Sequence, residues 1–65
     1  MIEIGRLPNS RAAQAFVDYL KGEDIDCQIE PLVQGVAILV IHDKDVEQAR
    51  KEFAHFIAHP YDNKY

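Results

Sequence analysis

Few side chains in this sequence are able to do chemistry. The 65-residue chain holds one cysteine, Cys27, one serine, Ser10, no threonine, and three histidines, His42, His55 and His59. His55 and His59 stand four apart, a spacing that brings two imidazoles to one face of a helix, within reach of a shared metal ion. A zinc site needs three or four protein ligands, and the same stretch offers no cysteine; Glu52 is only a loose candidate. The plainer reading puts both rings at the C-terminal end of a helix, where a protonated imidazole suits the dipole. Ser10 follows Pro8 and Asn9 and reads as part of a helix cap. A nucleophile would need a base and an orienting group beside it. Cys27 belongs to the inward set of an alternating strand and reads as a small buried hydrophobe rather than a reactive thiol. His42 reads as a turn residue. Gly5, Gly22 and Gly35 are isolated, so no glycine-rich phosphate loop is present. The chain is expected to hold no catalytic, cofactor or metal site of its own.

Composition narrows the alternatives. A net charge of −4 and a pI near 5.1 exclude general binding to nucleic acid, which needs a basic stripe to neutralise phosphates. Arg6 and Arg11 form a local basic pair that could touch lipid, but two solvated loop charges are the favoured reading. A chain this short hides only about 60% of the surface its unfolded form exposes, so a single core of modest stability is expected. Hydrophobic residues at 48% suffice for that core. One cysteine cannot form an internal disulfide, and small secreted domains more often carry several, which points to the cytosol. No signal-peptide pattern is visible at "MIEIGRLPNS". The longest apolar run, "VAILVI" at Val36 to Ile41, is far too short to cross a bilayer.

Five elements must position these residues. "MIEIGRL" alternates, with Ile2 and Ile4 on one side, Glu3 and Gly5 on the other, and Leu7 again inward. Pro8 stops the strand, and Asn9 or Ser10 caps a helix whose packed face is Ala12, Ala13, Phe16, Leu20 and Val17. Gly22 sits where a left-handed residue would end that helix. In "IDCQIE", Ile25, Cys27 and Ile29 point inward, and Pro31 limits the strand. "LVQG" makes the hairpin, with Gly35 able to supply a positive φ. "VAILVI" is apolar on both faces, as a central strand would be. Asp43 or Asp45 caps a second helix with Val46, Ala49, Phe53 and either Phe56 or Ile57 inward. Glu47 and Lys51 pair four apart on its outer face, and Pro60 terminates it.

This order predicts an α+β fold: a two-layer β-α-β-β-α domain. Its small three-stranded sheet has two helices on one face, a ferredoxin-like plan without the last strand. A right-handed crossover leaves the third strand between the first two, antiparallel to both. The first strand is then an open edge, available to a second copy as a homodimer. Ala37, Leu39 and Ile41 are expected to face away from the helices and form an apolar strip on the open sheet face.

Three stretches also carry a resemblance. Asn9, Arg11, Ala13, Gln14, Ala15, Phe16, Val17, Asp18 and Tyr19 in the first helix resemble the cytoplasmic N-terminal domain of bacterial rhomboid intramembrane proteases of the GlpG type. The run Val46, Ala49, Arg50, Glu52, Phe56 and Pro60 is similar to that family's second helix. The tail "HPYDNKY" resembles its N-P-x-D-P-[RK]-Y signature. Ser10 stands where the family often has Pro, His59 where it has Asn, and Asn63 where it has Pro; these departures touch capping and linker stiffness.

The resemblance implies a cytoplasmic domain at residues 1–59 and the start of a linker at 60–65, leading to a transmembrane protease domain. That parent would be a serine protease at the bacterial inner membrane, with its serine–histidine dyad outside this chain. The domain would be non-catalytic, and its partners would be its own transmembrane catalytic domain, lipid, a transmembrane substrate or a second copy. The competing reading is a freestanding ferredoxin-like module that binds a small ligand or a protein.

Overall fold

The computed structural model describes residues 1–59. The calls that fall on Pro60 and on the linker at 60–65 lie outside the described residues. The elements are β1 (Ile2–Leu7), α1 (Ser10–Gly22), β2 (Cys27–Pro31), β3 (Val36–Val40), a 3-10 turn (Asp43–Asp45) and α2 (Val46–Ala58). The three strands lie in the order β1-β3-β2, and β3 is antiparallel to both neighbours. The element sequence and the central place of "VAILV" are as the pattern predicts. Val36, Ile38 and Val40 of β3 face the helices and join Leu7, Ala13, Phe16, Leu20, Ile25, Ala49 and Phe56 in one core. Fully burying a side chain of the size of Phe16, Leu20, Ile38 or Val40 is worth about 1.5–3 kcal/mol.

β1 departs from simple alternation. Its register against β3 shifts between Glu3 and Gly5, a bulge with Ile4 as the extra residue. A bulge turns the strand's parity over, so Ile2 and Leu7 serve the same face although they stand an odd number of positions apart. Gly5 was expected on the outer side with Glu3; it lies instead beneath α2, where an added Cβ would run into the Phe53 ring. The bulge explains the correction, since it carries Gly5 to the core side opposite Ile38.

α1 opens on Asn9, whose Oδ1 accepts from the backbone N–H of Arg11 at 2.7 Å and of Ala12 at 3.4 Å. Its end is also corrected. Gly22 is the last helical residue and has no positive φ; the left-handed position belongs to Asp24, φ 63°. There the N–H of Ile25 donates to the Leu20 carbonyl at 2.9 Å and the N–H of Asp24 to Lys21 at 3.1 Å. This is a Schellman arrangement, and the apolar pair that accompanies it is Ile25 with Leu20, both buried. Capping two residues later than expected delays β2, which begins at Cys27 rather than Ile25.

The hairpin between β2 and β3 closes with the Leu32 N–H donating to the Gly35 carbonyl at 3.1 Å. Gly35 takes the positive φ, 81°, and its α-carbon lies so close to the Leu7 carbonyl that no side chain would fit. After β3 the chain enters α2 through the 3-10 turn. Neither expected cap is made there: Asp45 stands at the cap position of α2 in an αR conformation with no side-chain cap bond, and Asp43 is the first residue of the turn. Helical backbone at Asp45 removes the extended geometry an N-cap normally holds. α2 then returns over β1, with Phe56 buried and Ile57 53% exposed, which settles the inward choice. Phe16 holds the two helices together, edge-on to Phe53 at 5.6 Å between centroids and tilted against Phe56 at 5.1 Å.

Candidate functional site

The chemically able residues are dispersed. Ser10 is the exposed first residue of α1. Cys27 is half-buried at the start of β2, and its thiol is pushed up to about 11, chiefly by burial and then by the nearby carboxylates of Asp26 and Asp45. A thiol so shifted stays protonated near neutrality and is a poor nucleophile. Asp45 Oδ2 is buried without a hydrogen-bond partner. His42 Nε2 lies 3.6 Å from Asp26 Oδ2, both side chains exposed. His55 and His59 meet at the last turn of α2 with centroids 4.8 Å apart. Among the described residues no group of three or more His, Cys, Asp and Glu is placed to hold a metal ion.

Across the helix pair, Tyr19 of α1 hydrogen-bonds Glu52 of α2. That bond, partial burial and the further carboxylate of Glu23 hold the phenol well above its ordinary range. The result is a polar clasp between two helices packed through Phe16. Sequence reasoning noted Tyr19 and Glu52 only within separate patterns, and no spacing rule links positions on different helices.

The surfaces differ from expectation. On the open sheet face, Ala37 and Leu39 do point away from the core, flanked in register by Arg6 and Glu30 and by Glu3 and Gln28. The flanking chains leave Ala37 only 1% exposed, and Leu39 is half-buried. Arg6 Nε bonds Glu3 Oε1 at 3.1 Å. The strip is therefore a narrow apolar seam under charged neighbours. Ile41 is not part of it: it lies past the end of β3, where its N–H donates to the Asp26 carbonyl. It borders a shallow hollow with Val17, Lys21 and Cys27 beside α1. The bend that follows Val40 takes it out of the strand's alternation. β1 has a partner on one side only, and so does β2, so the sheet has two open edges among the described residues.

These features define a small α+β domain whose titratable side chains serve caps, clasps and surface pairs. Over residues 1–65 its sequence matches the family described as the cytoplasmic N-terminal domain of rhomboid serine protease, and the chain belongs to that family. Relatives include proteins named rhomboid protease GlpG from Yersinia enterocolitica, 31% identical over the whole chain, and from Serratia proteamaculans, 29% identical over the same span. A third, from Yersinia pestis, is 34% identical over 59 residues, 91% of the chain. The chain spans 23% of the length of the first two and 21% of the third. No solved structure matches it. No helix of the described residues is long and apolar enough to cross a membrane.

Proposed function

We propose that this domain is the non-catalytic accessory part of a rhomboid intramembrane serine protease, acting on the membrane-embedded catalytic domain through contacts rather than chemistry. The observation that carries this reading is the match of the whole chain to a family described as an N-terminal domain, while the chain spans only 23% of a relative named as a protease. In this reading residues 1–59 form the domain, 60–65 begin the linker, and the serine–histidine dyad belongs to the transmembrane part. The domain sits at the cytoplasmic face of the bacterial inner membrane. The protonated Cys27 thiol and the use of Ser10 at a helix start support a role without catalysis. Its contacts are lipid, a transmembrane substrate or a second copy at the β1 edge.

The test compares the full reading frame with one lacking residues 1–59, using a transmembrane substrate in native membranes and in detergent. Cleavage in membranes is expected to change by about fivefold, the low end of the coupling usual between distant sites, with the detergent rate unchanged. Equal rates in both media would remove the accessory role. A reading frame that ends just after Tyr65 would leave a freestanding binding module instead.

A further inference from the structure

The two sheet edges that the described residues leave open are built differently. Just before β2 the Asp26 carbonyl accepts from the Ile41 N–H, and at the hairpin the Leu32 N–H donates to the Gly35 carbonyl. Bonded pairs in an antiparallel ladder fall on every second residue. Gln28 opposite Leu39 and Glu30 opposite Ala37 therefore direct their backbone groups at β3. Cys27 and Ile29 turn both N–H and C=O outward, and Pro31 turns out a carbonyl alone. On β1 the same alternation sends Glu3 and Arg6 outward. The bulge sets those two three positions apart instead of two, and their side chains are tied together at 3.1 Å. A bulge and charged side chains are usual protections of an edge; on β2 only Pro31 serves that purpose. Shallow hollows lie on both sides of β2. On the open sheet face one is bordered by Gln28, Glu30 and Leu39. On the helix side another is walled by Val17, Cys27 and Ile41, with Asp18, Lys21 and Asp26 at its rim.

We infer that β2 is the docking edge for a short extended peptide in which basic and apolar residues alternate. The inference goes beyond the accessory reading and does not rest on it, since a freestanding module would present the same edge. An added strand hydrogen-bonds Cys27 and Ile29 through its backbone, and its side chains fall alternately on the two sides of the sheet. Residues opposite Cys27 and Ile29 lie on the helix side, where the hollow at Val17 opens, and are apolar. Residues opposite Asp26, Gln28 and Glu30 meet two carboxylates and an amide, so Lys or Arg suits them. Charge also favours such a peptide over a second copy of this chain. A two-fold pairing of β2 with itself that uses both outward residues centres on Gln28. It sets Asp26 across from the partner's Glu30, and does so twice, so like charges face each other at both ends. Pro31 ends the free ladder, which keeps the docked segment short.

The probe is the peptide Lys-Val-Arg-Val-Lys, acetylated and amidated, titrated into the 65-residue protein and followed by backbone amide chemical shifts. The largest shifts are expected at Cys27 and Ile29, with Glu3 and Arg6 unmoved. N-methylation of the peptide's two valines removes the N–H groups aimed at β2 and is expected to abolish binding. N-methylation of its arginine, whose N–H points to solvent, is expected to leave the affinity within about twofold. Glu30→Gln should weaken binding by about fivefold, the upper end for one cross-strand charge pair. Glu30 is exposed, and circular dichroism confirms that the variant is folded. Several results overturn the inference: no shifts at millimolar peptide, shifts centred on β1, or equal loss from the two methylations. Equal binding of Val-Lys-Lys-Arg-Val, which has the same composition without the alternation, overturns it too, as does equal binding of Glu-Val-Glu-Val-Glu. None of these outcomes bears on the accessory reading, which the deletion of residues 1–59 tests separately.

Discussion

α1 and α2 are both 13 residues long and pack on the same face of the same sheet, yet they are held by different means. α1 is bounded by local chemistry: Asn9 caps its start, and the Asp24–Ile25 Schellman turn satisfies the last carbonyls. α2 begins without a side-chain cap, behind a 3-10 turn. It is fixed by Phe53 over Gly5, by Phe56 and Phe53 against Phe16, and by Glu52 on Tyr19. Short helices are marginal in water and depend on tertiary packing. The contrast suggests that α1 carries much of its own specification, whereas α2 exists because β1 and α1 receive it.

The sharpest way to break that contrast is at Gly5. Gly5→Ala places a methyl group against the Phe53 ring and should destabilise the domain by about 1–3 kcal/mol, the usual cost of overpacking. Thermal denaturation checks the size, and hydrogen exchange should show protection lost first in α2. In a Phe53→Ala background the same substitution should cost much less, because the obstructing ring is gone; a double-mutant cycle measures the difference. An equal cost in both backgrounds would mean that Gly5 matters for its backbone and not for receiving α2.

The helix starts give a smaller and more symmetrical test. Asn9→Ala removes two accepted bonds and should cost about 1 kcal/mol. Asp45→Ala removes no cap bond and takes away a buried, unpaired oxygen, so it should be neutral or stabilising. Urea denaturation of the two variants side by side decides the matter. A loss at Asp45 equal to that at Asn9 would show that α2 is capped after all.

What was legible in the sequence follows the same division. Asn9 as a cap, the packed face of α1, the Gly35 turn and the doubly apolar central strand are all local or periodic signals, and the structure has each of them. The bulge at Ile4 left only an indirect mark. Ile2 and Ile4 are even positions and Leu7 is odd, so all three could face inward only if the strand changed parity between them. The bend that removes Ile41 from the strip and the Phe53 contact that claims Gly5 depend on elements distant in sequence. Of the site, the family was legible because both helices carry its residues. The clasp of Tyr19 with Glu52 was not, since it needs the helices placed antiparallel on the sheet before the residues meet.

The end of α1 offers the smallest effect, and it has the opposite sign. Asp24 holds a left-handed conformation that glycine adopts at little cost, while Gly22, two residues earlier, lies in the helix and pays glycine's entropic penalty for no conformational need. Asp24→Gly should therefore stabilise the domain by about 0.5 kcal/mol, and Gly22→Ala by a similar amount, since a Cβ there meets nothing within 4 Å. The two changes are too close in sequence for additivity to be assumed, so the double variant must be measured as well. A rise in melting temperature for both would confirm that α1 is terminated by the turn at Asp24. If Gly22→Ala were destabilising, the left-handed residue would have to lie at Gly22, and the delayed start of β2 at Cys27 would lose its explanation.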